Sequence, residues 1–226
     1  NEIAQSEGAT GKKFASYWLH NGPLRIDNEK MSKSLDNFFT IREVLEQYPA
    51  EVVRYFLISS HYRSPINYSR ENLNQAYSAL ERFYNALKGL DYLSSNPIDV
   101  NPFEGRFQSA MEDDFNTPEA ISVLFDMTRE INRLKDKDEV KAAALAASMV
   151  KMGEVLGILH SRPEAFLQKG NDSVDSADIE ELIARREQAR AEKNWQEADA
   201  IRDELMSLNV VLEDKDGVTS WRIERE

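Results

Sequence analysis

The stretch 69–90 reads SRENLNQAYSALERFYNALKGL. Its apolar residues Leu73, Ala76, Tyr77, Leu80, Phe83, Tyr84, Leu87 and Leu90 recur at steps of three and one, which puts them on one face of a long helix. Such a face needs an apolar surface to cover it, and the chain downstream carries two more stripes. Ile121, Leu124, Phe125, Thr128 and Ile131 form one, and Leu145, Met149, Met152, Leu156 and Leu159 form the other. Asn96-Pro97 and Asn101-Pro102 break the first helix, and a short helix around Phe107 to Met111 follows. Asn116-Thr117-Pro118 then reads as a cap with proline at the first helical position. Long stripes joined by short turns predict a mainly α fold with a helical bundle over residues 70–167.

Working outward from the bundle, residues 168–177 (QKGNDSVDSA) are polar, small and without periodicity, and they read as a linker. Beyond them two helices are expected over 178–193 and 196–208, then a β-hairpin over 210–223 with Gly217 in its turn. This unit, 178–226, holds only about 50 residues and needs a neighbour to be stable. Upstream, Phe14 to His20 and Pro23 to Asp27 read as two short strands joined by a tight turn at Asn21-Gly22. Thr40 with Glu43 three residues on forms a capping box for a helix to about Tyr48. Pro49 opens the next helix, to about His61, with Val52, Val53, Phe56 and Leu57 on its apolar face.

Composition narrows the class. Hydrophobic residues make up 41% and charged residues 30%, the balance of a soluble globular chain. There are no cysteines, which excludes disulfides and thiolate metal sites within these 226 residues. No apolar run approaches the roughly 20 residues that span a bilayer, so no membrane partner is expected. The opening at Asn1, without methionine, reads as the middle of a domain, so a fragment is expected. Net charge is −12, yet residues 1–75 hold nine basic and nine acidic side chains. The deficit therefore lies entirely downstream, and a polyanion would have to bind through local patches.

One segment carries chemistry: Lys30-Met31-Ser32-Lys33-Ser34. Two lysines three apart among small hydroxyl residues suit a loop that meets a polyphosphate, because a compact ammonium cancels charge on phosphate oxygens. Serine hydroxyls and loop amides can add hydrogen bonds. On spacing alone the same segment also fits a plain solvated loop.

KMSKS stands here letter for letter, and it resembles the second signature of class I aminoacyl-tRNA synthetases. Asn1-Glu2-Ile3-Ala4-Gln5, His61-Tyr62-Arg63-Ser64 with Asn67-Tyr68-Ser69, and Asp113-Asp114-Phe115-Asn116-Thr117-Pro118 resemble the cysteinyl-tRNA synthetase family, in the same order and over essentially the whole chain. One departure is Asp36, where the family commonly has glycine. The resemblance implies the end of a class I Rossmann-type catalytic domain (1–27), the KMSKS loop and stem-contact region (28–69), the bundle, and a small α/β anticodon-binding unit (178–226). It implies ligation of L-cysteine to tRNA(Cys) through a cysteinyl-adenylate, with ATP as substrate and Mg2+, in a cytoplasmic monomer. Lys33 and Lys30 would be catalytic, and Lys30, Met31, Ser32, Lys33 and Ser34 would bind ATP. Glu2 would be one ligand of a Zn2+ ion whose other ligands lie upstream and which binds the substrate thiolate directly. His20, His61 and His160 are not offered as ligands.

By the same resemblance the last unit reads the anticodon, with Arg190, Trp195, Asp199, Arg202 and Asp214 as candidate contacts. An exposed tryptophan can stack an unpaired base, and Arg and Asp can pair with base edges. Trp195 could equally fill a small core. Two other functions stay open: a ligase joining cysteine to an amino-sugar, which shares KMSKS but lacks the last unit, and a non-catalytic tRNA-binding module.

Overall fold

The computed structural model describes residues 1–27, 29–30, 40–96, 102–168, 176–215 and 218–223. The fold is mainly helical. The chain divides into two compact units, one of residues 1–78 with 101–123 and one of 79–100 with 124–226.

In the first unit, helix α1 (Glu2–Thr10) ends at Gly11 in the left-handed conformation. Residues 11–20 then run without a strand, so the expected hairpin is not the one formed. Its place is taken by β1 (Leu24–Ile26) and β2 (Glu29–Lys30), antiparallel, with Arg25 opposite Lys30. The reversal starts at Asp27, whose φ of 48° a short polar residue tolerates. Gly22 makes no turn: a Cβ there would sit 2.1 Å from the Ser64 carbonyl oxygen, so the position takes glycine for close approach. Strand β3 (Ile66–Tyr68) adds to β1 in parallel, giving the order β2-β1-β3.

Between β2 and β3 lie α2 (Ile41–Gln47) and α3 (Ala50–Ile58). The capping box forms: Thr40 Oγ1 accepts from the Glu43 amide at 3.3 Å and Glu43 accepts from the Thr40 amide at 2.6 Å. Helix α3 buries Val52, Tyr55 and Phe56 but leaves Leu57 exposed, so its apolar face is rotated toward Tyr55 from the one expected. It ends at Ile58, three residues short of His61.

Helix α4 (Arg70–Leu87) buries the seven apolar residues from Leu73 to Leu87 that the spacing placed on one face. Ser69 caps its start by accepting from the Asn72 amide at 3.1 Å. The helix stops at Leu87, ahead of the expected break, where Gly89 turns left-handed at φ 77°. Helix α5 (Phe103–Glu112) leads to α6 (Thr117–Lys135), which Asn116 caps by accepting from the Glu119 amide; Pro118 is therefore the second helical residue.

In the second unit Phe83 meets Phe125 at 4.5 Å between ring centres. Lys135 Nζ donates to the Asn85 and Lys88 carbonyls at 3.0 and 2.8 Å, satisfying groups at the end of α4. Helix α7 (Glu139–Leu156) buries Leu145, Met149, Met152 and Leu156 as expected, and also every residue from Ala142 to Ala147. Tyr84 stacks on Phe166 of α8 (Pro163–Leu167), the ring centres 4.2 Å apart. Helices α9 (Ser176–Ala191) and α10 (Trp195–Ser207) and the antiparallel strands β4 (Val210–Lys215) and β5 (Val218–Ile223) follow. Ile179, Ile183, Ile201, Leu205, Val210 and Trp221 form their common core.

Candidate functional site

Lys30 ends β2, its backbone paired with Arg25. Met31, Ser32, Lys33, Ser34 and Asp36 lie outside the described residues. The partner of β2, strand β1, is held on its far side by β3, where Leu24, Arg25 and Ile26 pair with Ile66, Asn67 and Tyr68. The Asp27 amide adds a bond to the Tyr68 carbonyl at 3.1 Å.

The second place where chemistry-bearing residues gather was not legible as a site in the sequence. Asp114, between α5 and α6, accepts from Tyr62 Oη at 2.7 Å, from Arg63 Nε at 2.6 Å and from Arg63 Nη2 at 3.1 Å. The Arg63 guanidinium lies over the Tyr62 ring at 4.9 Å, and the His61 ring stacks on Tyr62. A two-pronged arginine and a phenol on one carboxylate make a charge-assisted, directional clamp. The Arg63 and Tyr62 hydrogen bonds hold the Asp114 carboxyl down at about 2, against an ordinary 3.8. Asp114 and Phe115 both sit in the left-handed region, at φ 53° and 56°, and the Phe115 ring stays 54% exposed. The blocks 61–64 and 113–118, read above as separate family marks, thus meet in space.

At the other end of the chain Asn194 caps α10 by accepting from the Glu197 amide, after Lys193 turns left-handed. Trp195, Asp199 and Arg202 follow at spacings of four and three and share one exposed face of α10. Arg190 is exposed in the last turn of α9. Trp195 is 60% exposed, whereas Trp221 is 3% exposed and donates its indole N–H to Glu180 at 2.8 Å. The core position belongs to Trp221, which leaves the Trp195 ring open to a partner. Asp214 lies on β4 with its backbone opposite Thr219.

Glu2 is exposed in the first turn of α1. Among the described residues no group of three or more His, Cys, Asp or Glu side chains could hold a metal ion. A lone exposed carboxylate supplies one donor, so a four-coordinate zinc does not fit this chain by itself.

Three family models match the chain. The class I (C) tRNA synthetase catalytic domain matches residues 1–78, the DALR domain 106–160, and the cysteinyl-tRNA ligase anticodon binding domain 175–222. A protein of Azotobacter vinelandii (strain DJ) named cysteine–tRNA ligase is 59% identical over 224 residues, 99% of this chain and 48% of its own length. One of Stutzerimonas stutzeri (strain A1501) with the same name is 60% identical over the same shares. The chain spans about half the length of these curated relatives. A solved ternary complex of Agrobacterium radiobacter K84 agnB2 LeuRS, tRNA and LeuAMS matches 86% of this chain and 31% of its own, with TM-score 0.51 and 18% identity. That likeness is one of fold alone. A catalytic-domain segment, a DALR domain and an anticodon-binding domain in this order define the C-terminal half of a class I aminoacyl-tRNA synthetase. Within that class, the chain belongs to the cysteinyl-tRNA synthetase family.

No described helix is long and apolar enough to cross a membrane.

Proposed function

We propose that this chain is the half of a cytoplasmic, monomeric ligase that completes the ATP site and reads tRNA(Cys), in an enzyme that attaches L-cysteine through a cysteinyl-adenylate. The observation that carries the reading is one chain holding both KMSKS and a match to the cysteinyl-tRNA ligase anticodon binding domain. A ligase for a cysteine–amino-sugar bond would not need that last domain.

In adenylate formation the carboxylate of cysteine attacks the α-phosphorus of ATP, a bond forms to that phosphorus, and pyrophosphate leaves with the electron pair. Negative charge builds on the phosphoryl oxygens. The Lys33 ammonium would cancel it in the transition state, with Lys30 assisting, while Ser32, Ser34 and the amides from Lys30 through Met31 to Ser34 would hold the phosphates. Mg2+, when bound with ATP, would supply further positive charge. Removing one preorganised donor of this kind costs on the order of 3 kcal/mol, about a hundredfold in rate. Lys33→Ala in the full-length protein is expected to slow ATP–pyrophosphate exchange by about that factor while leaving the dissociation constant for cysteine alone. Unchanged exchange overturns the assignment.

Glu2 would contribute one donor to a zinc site completed by residues outside this chain. Bound there, the metal would favour sulfur over oxygen and so select cysteine against serine. The domain boundaries follow the same reading: catalytic remnant 1–27, KMSKS and stem-contact region 28–69, bundle 70–167, linker 168–177 and anticodon-binding unit 178–226. In the last, Trp195 would stack an anticodon base, with Arg190, Asp199, Arg202 and Asp214 pairing with base edges.

A further inference from the structure

We infer that Asp114 is a positioning residue for the nucleotide site: through Tyr62 and Arg63 it fixes the 61–64 turn, and that turn fixes the sheet that presents Lys30. This rests on the proposed role of Lys30 and Lys33 in binding ATP.

The links are short and directional. The 61–64 turn closes on itself with the Ser64 amide donating to the His61 carbonyl at 2.8 Å. The Gly22 amide donates to the Tyr62 carbonyl at 2.8 Å, and at Gly22 the backbones are so close that even a methyl group would clash with Ser64. The Ile66 amide then donates to the Pro23 carbonyl at 3.0 Å, and β3 continues the ladder along β1. Strand β1 pairs with β2 through Arg25 opposite Lys30. A shift of the turn therefore carries to Lys30 through backbone hydrogen bonds alone, with no flexible side chain after Tyr62 and Arg63.

The origin of the clamp is also over-determined. Two successive non-glycine residues in the left-handed region are rare, and phenylalanine gains no local hydrogen bond there that would favour it. The conformation is held by the Asn116 amide donating to the Ala110 carbonyl at 3.0 Å and the Thr117 amide to the Phe115 carbonyl at 2.7 Å. Its effect is to turn the Asp114 carboxylate onto Tyr62 and Arg63, 52 and 51 residues earlier in the chain. Two side chains that only anchored a surface loop would not require a strained partner.

The experiment uses the full-length enzyme and the variants Asp114→Asn, Tyr62→Phe and Lys33→Ala. Asparagine keeps the shape and one acceptor but loses the charge that grips Arg63. Asp114→Asn is expected to raise KM for ATP and lower kcat in pyrophosphate exchange, about tenfold in kcat/KM together, with KM for cysteine unchanged and Tyr62→Phe shifted the same way by less. Equal effects on ATP and cysteine, or a loss that only follows a lowered Tm while Tyr62→Phe runs at full rate, overturn the inference. So does an unchanged Asp114→Asn beside a crippled Lys33→Ala, in which case the ATP reading survives. If Lys33→Ala is also unchanged, it is the ATP reading that has failed.

Discussion

At Asp114 a carboxylate that is exposed to solvent nonetheless titrates well below its ordinary range, because Arg63 and Tyr62 bond its charged form. A lowered pKa means that the contact stabilises the folded state fully above the ordinary 3.8 and loses that contribution as pH falls through about 2. The clamp is thus fully formed throughout the neutral range. Carboxyl chemical shifts followed by NMR in acid are expected to place the Asp114 midpoint near 2 in the parent chain and to move it upward in Arg63→Ala, where the Tyr62 hydrogen bond still keeps it below the ordinary 3.8. Equal midpoints in the two would show that the arginine does not set it. Nothing in the sequence signals this pair: the partners are 51 residues apart, and an acid before a helix cap resembles any other loop acid.

Among the elements, those whose ends are written in local chemistry were legible, and those defined by long-range pairing were not. The Thr40–Glu43 box and the stripe of α4 need only neighbours three or four residues away. The box forms as read, and the stripe does so as far as Leu87, with Leu90 left beyond the helix. The first hairpin was misplaced because Phe14 to Leu19 has strand-like composition, whereas the ladder partner of β1 comes from residues 66–68. The burial of α7 was only half legible, since its alanines give no period to count. Helix α10 tests the RNA reading at this scale. Its exposed Trp195 adds little to the core, so Trp195→Ala is expected to leave Tm within a degree or two while weakening tRNA(Cys) binding by about 1–3 kcal/mol. A large fall in Tm with unaltered binding would return the ring to a packing role.

For the chain as a whole, a net charge of −12 sets the terms on which it meets a polyanion. On the proposed reading, a net negative chain gains little from bulk attraction, and recognition of the RNA would rest on a small number of stacked and hydrogen-bonded contacts. The affinity of this chain for tRNA(Cys) is expected to fall with salt along a double-logarithmic slope no steeper than about −4. A slope near −8 would instead call for a broad basic surface. The candidate RNA contacts were legible only as residue types in a junction; that three share a face of α10 while Trp221 fills the core needed the fold.

The alanines of α7 have a consequence for how this sequence can change over time. From Ala142 to Ala147 every side chain is buried, on all sides of the helix at once, and all but Leu145 are single methyl groups. Glycine there would loosen the helix, and almost anything larger would wedge its surroundings apart. While outer faces drift, this short run has hardly any neighbouring sequences to move to, and descendants of the chain should carry it nearly unaltered.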